Sequence, residues 1–124
     1  MNKGIKVHLF LPRKCLDKIE KKQQKLEELT NILCYEVSYE IYPGVYRGRK
    51  VCAILVDFVD STFMRCEFSY RQFKRILKDI TGELPIQVCK MKYQRVSGKD
   101  NDMISLDYET EVGESDGLWN NNNN

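Results

Sequence analysis

No stretch of this chain approaches the roughly 20 consecutive apolar residues that a membrane-spanning helix needs. A secretory core is missing too: Ile5 to Leu11 is apolar only at alternate positions, and Arg13 and Lys14 follow at once. These absences predict a cytoplasmic protein that works away from membranes. Histidine occurs once, at His8, and the five cysteines (Cys15, Cys34, Cys52, Cys66 and Cys89) form no CxxC pair. Structural zinc needs closely spaced ligand pairs, so no metal is expected. An odd number of cysteines without a secretory signal points to free thiols that behave as small apolar side chains. A phosphate-binding glycine loop, a nucleophile elbow and a Cys–His signature are also lacking. Neither a cofactor nor an enzymatic activity is therefore expected.

What is present suits one domain. The 124 residues are 42% hydrophobic and 31% charged, a balance that supports a packed core and argues against disorder. The expected organisation is a single α+β domain over 1–112 and a flexible, Asn-rich tail over 113–124. Charge is divided unequally along the chain. Residues 1–100 hold all 20 Lys and Arg against 12 acids, a net of +8, while residues 101–124 hold six acids and no base.

Hydrophobic periodicity gives the element order. Ile5, Val7, Leu9 and Leu11 alternate with polar neighbours as a strand does. From Arg13 to Asn31, the spacing of Leu16, Ile19, Leu26 and Leu29 predicts one amphipathic helix. Tyr35, Val37, Tyr39 and Ile41 read as a second strand, with a turn at Pro43-Gly44 and a hairpin end over 46–50. The nearly continuous apolar run from Val51 to Val59 reads as a central strand buried on both faces. Residues 60–68 fit either a loop or a further short strand. Ser69 and Gln72 have capping-box spacing, so a second helix is expected from there to Gly82. Ile86 to Val96 and Ile104 to Val112 are the remaining strands. This order matches a ferredoxin-like (split βαβ) antiparallel sheet, two helices on one face, with an added C-terminal strand.

Candidate sites are charged surfaces. Arg47, Arg49 and Lys50 cluster at the hairpin end beside Tyr42 and Tyr46. Arg71, Arg75 and Lys78 fall on adjacent turns of one helical face. Arg13 and Lys14 sit at the start of the first helix, where cations oppose the helix dipole and would suit a bound anion. Together these residues are candidates for contact with nucleic acid or another anion. Asp107, Glu109 and Glu111 share one face of the last strand, a stripe suited to a basic protein partner or to guarding a sheet edge. His8 and Phe10 share the strand face away from the helices. Asp57 and Asp60 are conceivable metal ligands, but Asp60 is explained as a turn residue.

The resulting expectation is a small non-enzymatic binding protein that acts through charged surfaces on nucleic acid or on a nucleic-acid-handling protein. Accessory proteins and inhibitors of phages and mobile elements have this profile. A monomer or weak dimer is expected, because Glu36 and Glu40 make the open sheet face too polar for a large obligate interface. The alternatives are a homo-oligomeric sensor or scaffold using that open face, and a small enzyme without a legible motif.

Overall fold

The computed structural model describes residues 3–31, 33–95 and 103–112, with only the backbone path for 95 and 103–112. The elements are β1 (Lys3–Pro12), α1 (Cys15–Lys21), α2 (Gln23–Thr30), β2 (Glu36–Tyr46), β3 (Arg49–Asp60), α3 (Phe63–Thr81), β4 (Gln87–Arg95) and β5 (Met103–Val112). The architecture is α+β. The strands form one antiparallel sheet in the order β2-β3-β1-β4-β5. The expected turn and tail at 97–102 and 113–124 lie outside the described residues, as do the side chains of Asp107, Glu109 and Glu111.

The core forms because strand side chains alternate and helix side chains line one stripe. Ile5, Val7, Leu9 and Leu11 of β1 meet Cys52, Ile54, Val56 and Phe58 of β3 in register. Cys15, Ile19, Leu26, Tyr70, Phe73 and Leu77 from the helices cover that same sheet face. Four of the five cysteines are buried. Burial pushes the Cys52 thiol up to about 11 and the Cys66 thiol up to about 12, so both stay protonated at neutral pH.

The structure departs from the sequence pattern in three places. The first helix is broken at Lys22, whose N–H bonds to Ile19 three residues back instead of four. Pro43-Gly44 is not a turn but lies within β2, with Pro43 paired to Cys52. The edge position of β2 explains this, because an edge strand tolerates a missing N–H. The real turn is at Arg47 and Gly48, whose φ values of 51° and 75° match the left-handed pair of a tight hairpin.

The third departure is the start of α3. It begins at Phe63, so residues 63–68 are helix and not a strand or loop. The cap is Thr62, whose hydroxyl accepts from the Arg65 N–H at 3.2 Å. Ser69 lies inside the helix and donates its hydroxyl to the Arg65 carbonyl at 2.9 Å. Gly82, with φ 73°, ends the helix.

Asp60 ties the start of α3 to the start of β2. Its carboxylate accepts from the backbone N–H of Tyr35 at 2.9 Å and of Ser61 at 2.6 Å, and Arg65 lies 3.3 Å away. Burial alone would raise this carboxyl, but the donors from Ser61, Tyr35 and Arg65 outweigh it and hold the pKa below its ordinary value. Asp60→Ala should lower stability by about 1–3 kcal/mol in a urea titration, since it removes a buried carboxylate that accepts from two backbone amides and faces Arg65. In the wild type this contribution should be complete above the unfolded pKa near 3.8 and vanish as pH falls through the lower folded value.

Candidate functional site

Because the helices cover one face, the other face of the sheet is where side chains of different chemistry converge without being absorbed into the main core. Across β2, β3, β1 and β4 one row reads Ser38, Asp57, Lys6, Met91, and the next reads Glu40, Leu55, His8, Cys89. A third row reads Tyr42, Ala53, Phe10, Gln87. The face is therefore charged at one end and aromatic at the other.

At the aromatic end Phe10, Val51 and Ala53 form a second, small core with Tyr46, Ile86 and Cys89. Phe10 stacks on Tyr46 with ring centroids 4.4 Å apart and lies 4.4 Å from His8. His8 Nε2 is 2.8 Å from the Tyr42 hydroxyl. Partial burial lowers the His8 pKa, so the ring is neutral at pH 7. Tyr42 remains 37% exposed, which leaves part of an aromatic surface open to a ligand.

At the charged end the arrangement depends on a glycine. Gly4 faces Tyr93 in register, and the Tyr93 ring occupies the space where a side chain at position 4 would go. This close approach is why a glycine is needed within β1. The Tyr93 hydroxyl donates to the Asp57 carboxylate, 2.7 Å from one oxygen and 2.9 Å from the other. Tyr93 is fully buried, and the Lys6 ammonium lies 5.8 Å from its ring centroid.

Two shallow hollows open on this face. One, of about 240 Å³, is bordered by Lys6, Ser38, Glu40, Leu55 and Asp57. The other, of about 230 Å³, is bordered by Lys6, His8, Leu55, Cys89 and Met91. Lys6 and Leu55 border both hollows, and together the two approach the size of ordinary small-molecule sites. A larger groove of about 440 Å³ runs along α3, bordered by Leu33, Met64, Arg65, Phe68, Ser69 and Arg71. Among the described residues it brings no carboxylate toward its apolar wall, whereas the sheet face offers acid, base, hydroxyl and aromatic groups together.

The residues singled out as anion contacts are spread over the molecule. Arg13 donates to the carbonyls of Val51 at 2.9 Å and Gly44 at 2.8 Å, fastening the β2–β3 hairpin to the end of β1. Lys14 pairs with Glu83 at 2.7 Å, and that hydrogen bond and charge raise the Lys14 pKa. Arg47 lies 5.2 Å from the Tyr46 ring centroid at the hairpin tip, and Arg49 and Lys50 beside it are exposed. Arg71, Arg75 and Lys78 are exposed on α3. Asp107 and Glu109 stand opposite Lys92 and Lys90 in the β4–β5 register, and Glu111 opposite Val88. Sequence reasoning noticed His8 and Phe10, and Asp57 as a conceivable metal ligand beside Asp60, but missed the grouping of Asp57 with Lys6 and Tyr93. The available signal was Gly4, a glycine inside a strand pattern.

No protein-family model and no curated protein matches this chain. Among solved structures, the chain is similar to a phage SAM lyase in its apo state, with a TM-score of 0.55 and 12% identity over 91% of this chain and 90% of that one. It is also similar to a phage SAM lyase in complex with S-methyl-5'-thioadenosine, with a TM-score of 0.51 and 10% identity over 91% of each chain. At these identities the likeness concerns the fold. The expectation of a non-enzymatic, nucleic-acid-directed binding protein is corrected accordingly: the fold is shared with an enzyme along nearly the whole of both chains, and this favours the small-enzyme alternative. No helix among the described residues is long and apolar enough to cross a membrane.

Gly4→Ala should push Tyr93 off Asp57. It should lower stability by about 1–3 kcal/mol, as overpacking does, and change the near-ultraviolet dichroism of the tyrosines.

Proposed function

We propose that this chain is an enzyme acting on S-adenosylmethionine, cleaving it as a lyase does, with the open sheet face as its active site. The fold likeness to the phage SAM lyase structures carries the proposal, and the chemistry of the open face supports it. We assign the sheet to the ferredoxin-like class, with β5 as an added edge strand, on the strand order β2-β3-β1-β4-β5.

S-methyl-5'-thioadenosine is S-adenosylmethionine without its aminobutyrate arm. The bond that breaks is the one from sulphur to that arm, and its electron pair goes to sulphur. A sulphonium cation becomes a neutral thioether. The arm restores its own valence by losing a proton or by closing a ring, since a lyase adds no water. Positive charge at sulphur fades in the transition state, so an anion placed against it would favour the bound substrate over that state. Uncharged surroundings at sulphur suit the reaction better. Leu55 and neutral His8 supply them in the middle row, with Phe10 in the row beside it, while Lys6 and Asp57 lie in the row toward the other end and Glu40 stands two strands from His8 on the edge strand β2. Tyr42 and the Phe10–Tyr46 stack offer the aromatic surface that an adenine ring needs.

The direct test is to incubate the protein with S-adenosylmethionine and follow S-methyl-5'-thioadenosine by liquid chromatography and mass spectrometry. Catalytic accumulation, absent from a heat-denatured sample, is expected. No turnover, together with no calorimetric binding of S-methyl-5'-thioadenosine, overturns the reading. Tyr42→Ala should weaken binding of S-methyl-5'-thioadenosine by about tenfold, in line with the loss of one base–aromatic contact.

The pH dependence separates the two ligands. Below pH 6.5 His8 starts to take up its proton, completing this as pH passes its lowered pKa. Its cation then faces the sulphonium, with the Tyr42 hydroxyl, Glu40, Lys6 and Cys89 as the other polar neighbours on the face. Affinity for S-adenosylmethionine should fall with acidification more than affinity for the neutral thioether, and His8→Gln should remove that difference.

A further inference from the structure

We infer that Lys6 and Asp57 form a subsite for a free α-amino acid, with Tyr93 as the positioning residue that holds Asp57. This inference deepens the proposed function and rests on it, since it names the part of the ligand that the charged end of the face receives.

The two residues face each other across β1 and β3 and border the same hollow, with Ser38 and Glu40 beside them. A cation and an anion side by side complement a zwitterion, whose carboxylate and ammonium leave a single carbon. The Lys6 ammonium is carried on a flexible stem and takes the carboxylate. The Asp57 carboxylate takes the ammonium, assisted by the Ser38 hydroxyl on the adjoining strand.

Asp57 is held in place before any ligand arrives. Tyr93 approaches both its oxygens, at 2.7 and 2.9 Å, and the tyrosine ring is locked over Gly4 with no exposed surface. A charged group fixed by a buried neighbour loses little freedom on binding, which is where a preformed site gains affinity. The aromatic row lies four residues along the strands from this pair, roughly 13 Å at the usual strand rise. That length leaves room for the sulphur and the ribose between the amino acid and the base. It also separates the fixed charges from the sulphur, as the fading sulphonium charge requires.

The experiment uses calorimetric titration of the full chain with two ligands that are both neutral at sulphur. S-methyl-5'-thioadenosine carries a methyl group where S-adenosyl-L-homocysteine carries the α-amino acid arm. The wild type should bind S-adenosyl-L-homocysteine about tenfold or more tightly than S-methyl-5'-thioadenosine. Lys6→Met and Asp57→Asn should each weaken S-adenosyl-L-homocysteine by about 10- to 100-fold and leave S-methyl-5'-thioadenosine within about threefold. Tyr93→Phe should weaken S-adenosyl-L-homocysteine alone, by about three- to tenfold, because it acts through Asp57. A merely structural tyrosine would move both ligands together. Dichroism and melting establish which variants fold, and Lys6→Met, a change at a partly exposed side chain, carries the test if the Asp57 or Tyr93 variants do not. If S-methyl-5'-thioadenosine binds but the amino acid arm adds no affinity, or if the variants weaken both ligands equally, the subsite is overturned while the proposed function stands. If neither ligand binds, the subsite falls together with that function.

Discussion

Side chains alternate along a strand, so a sheet covered by helices on one face must find another use for the other. Here α1, α2 and α3 all lie on one side, and the main core takes every second residue of β1, β2 and β3. The intervening residues are released from that core. Each must be satisfied locally, and three solutions appear on the open face. Phe10, Val51, Ala53 and Tyr46 bury one another, His8 meets the Tyr42 hydroxyl, and Tyr93 fills the gap above Gly4 while bonding to Asp57. These local solutions place aromatic and charged groups at opposite ends of one surface.

Several charges that look free along the chain hold elements together instead. Arg13 gives its guanidinium protons to two carbonyls of the β2–β3 hairpin, and Lys14 reaches Glu83 beyond the end of α3. Their positions at the start of α1 thus serve tertiary contacts. Lys90, nearly buried, reaches Glu67 at 3.0 Å, and Lys92 approaches the same carboxylate at 3.6 Å. Such pairs orient α3 on β4. A buried pair of this kind is costly to break, though it is weak evidence of net stabilisation. A net charge of +8 over residues 1–100 thus overstates how much positive charge is available to a polyanion.

The likeness to the phage SAM lyase structures extends over about nine-tenths of each chain, which is why the proposed function departs from a charged-surface binding role. At 12% and 10% identity it says which fold, and the open face has to supply the chemistry. Under the proposed function, a nucleoside ligand with an amino acid at one end would meet a face that carries aromatic side chains at one end and Lys6 and Asp57 at the other. A surface built to track a phosphate backbone would instead gather its cations, and the arginines and lysines here are distributed over the hairpin, α3 and the end of β1.

The amino-acid sequence by itself determined the strands β1 and β3 and the apolar stripe of α3, because period-two and helical hydrophobic spacing are local properties read from neighbours. The hairpin end at Arg47-Gly48 and the helix stop at Gly82 were legible for the same reason. Tertiary structure alone decided the rest. Pro43 stays in a strand only because β2 is an edge, and Thr62 outcompetes Ser69 as a cap because Phe63 and Cys66 find the core and carry the helix two turns further back. The candidate site was less legible still. Lys6, Asp57 and Tyr93 are separated by 36 residues or more along the chain and meet only through the β3-β1-β4 register. A single residue's slip in either pairing would turn one of them to the other face, so no inspection of spacing along the chain reveals the cluster.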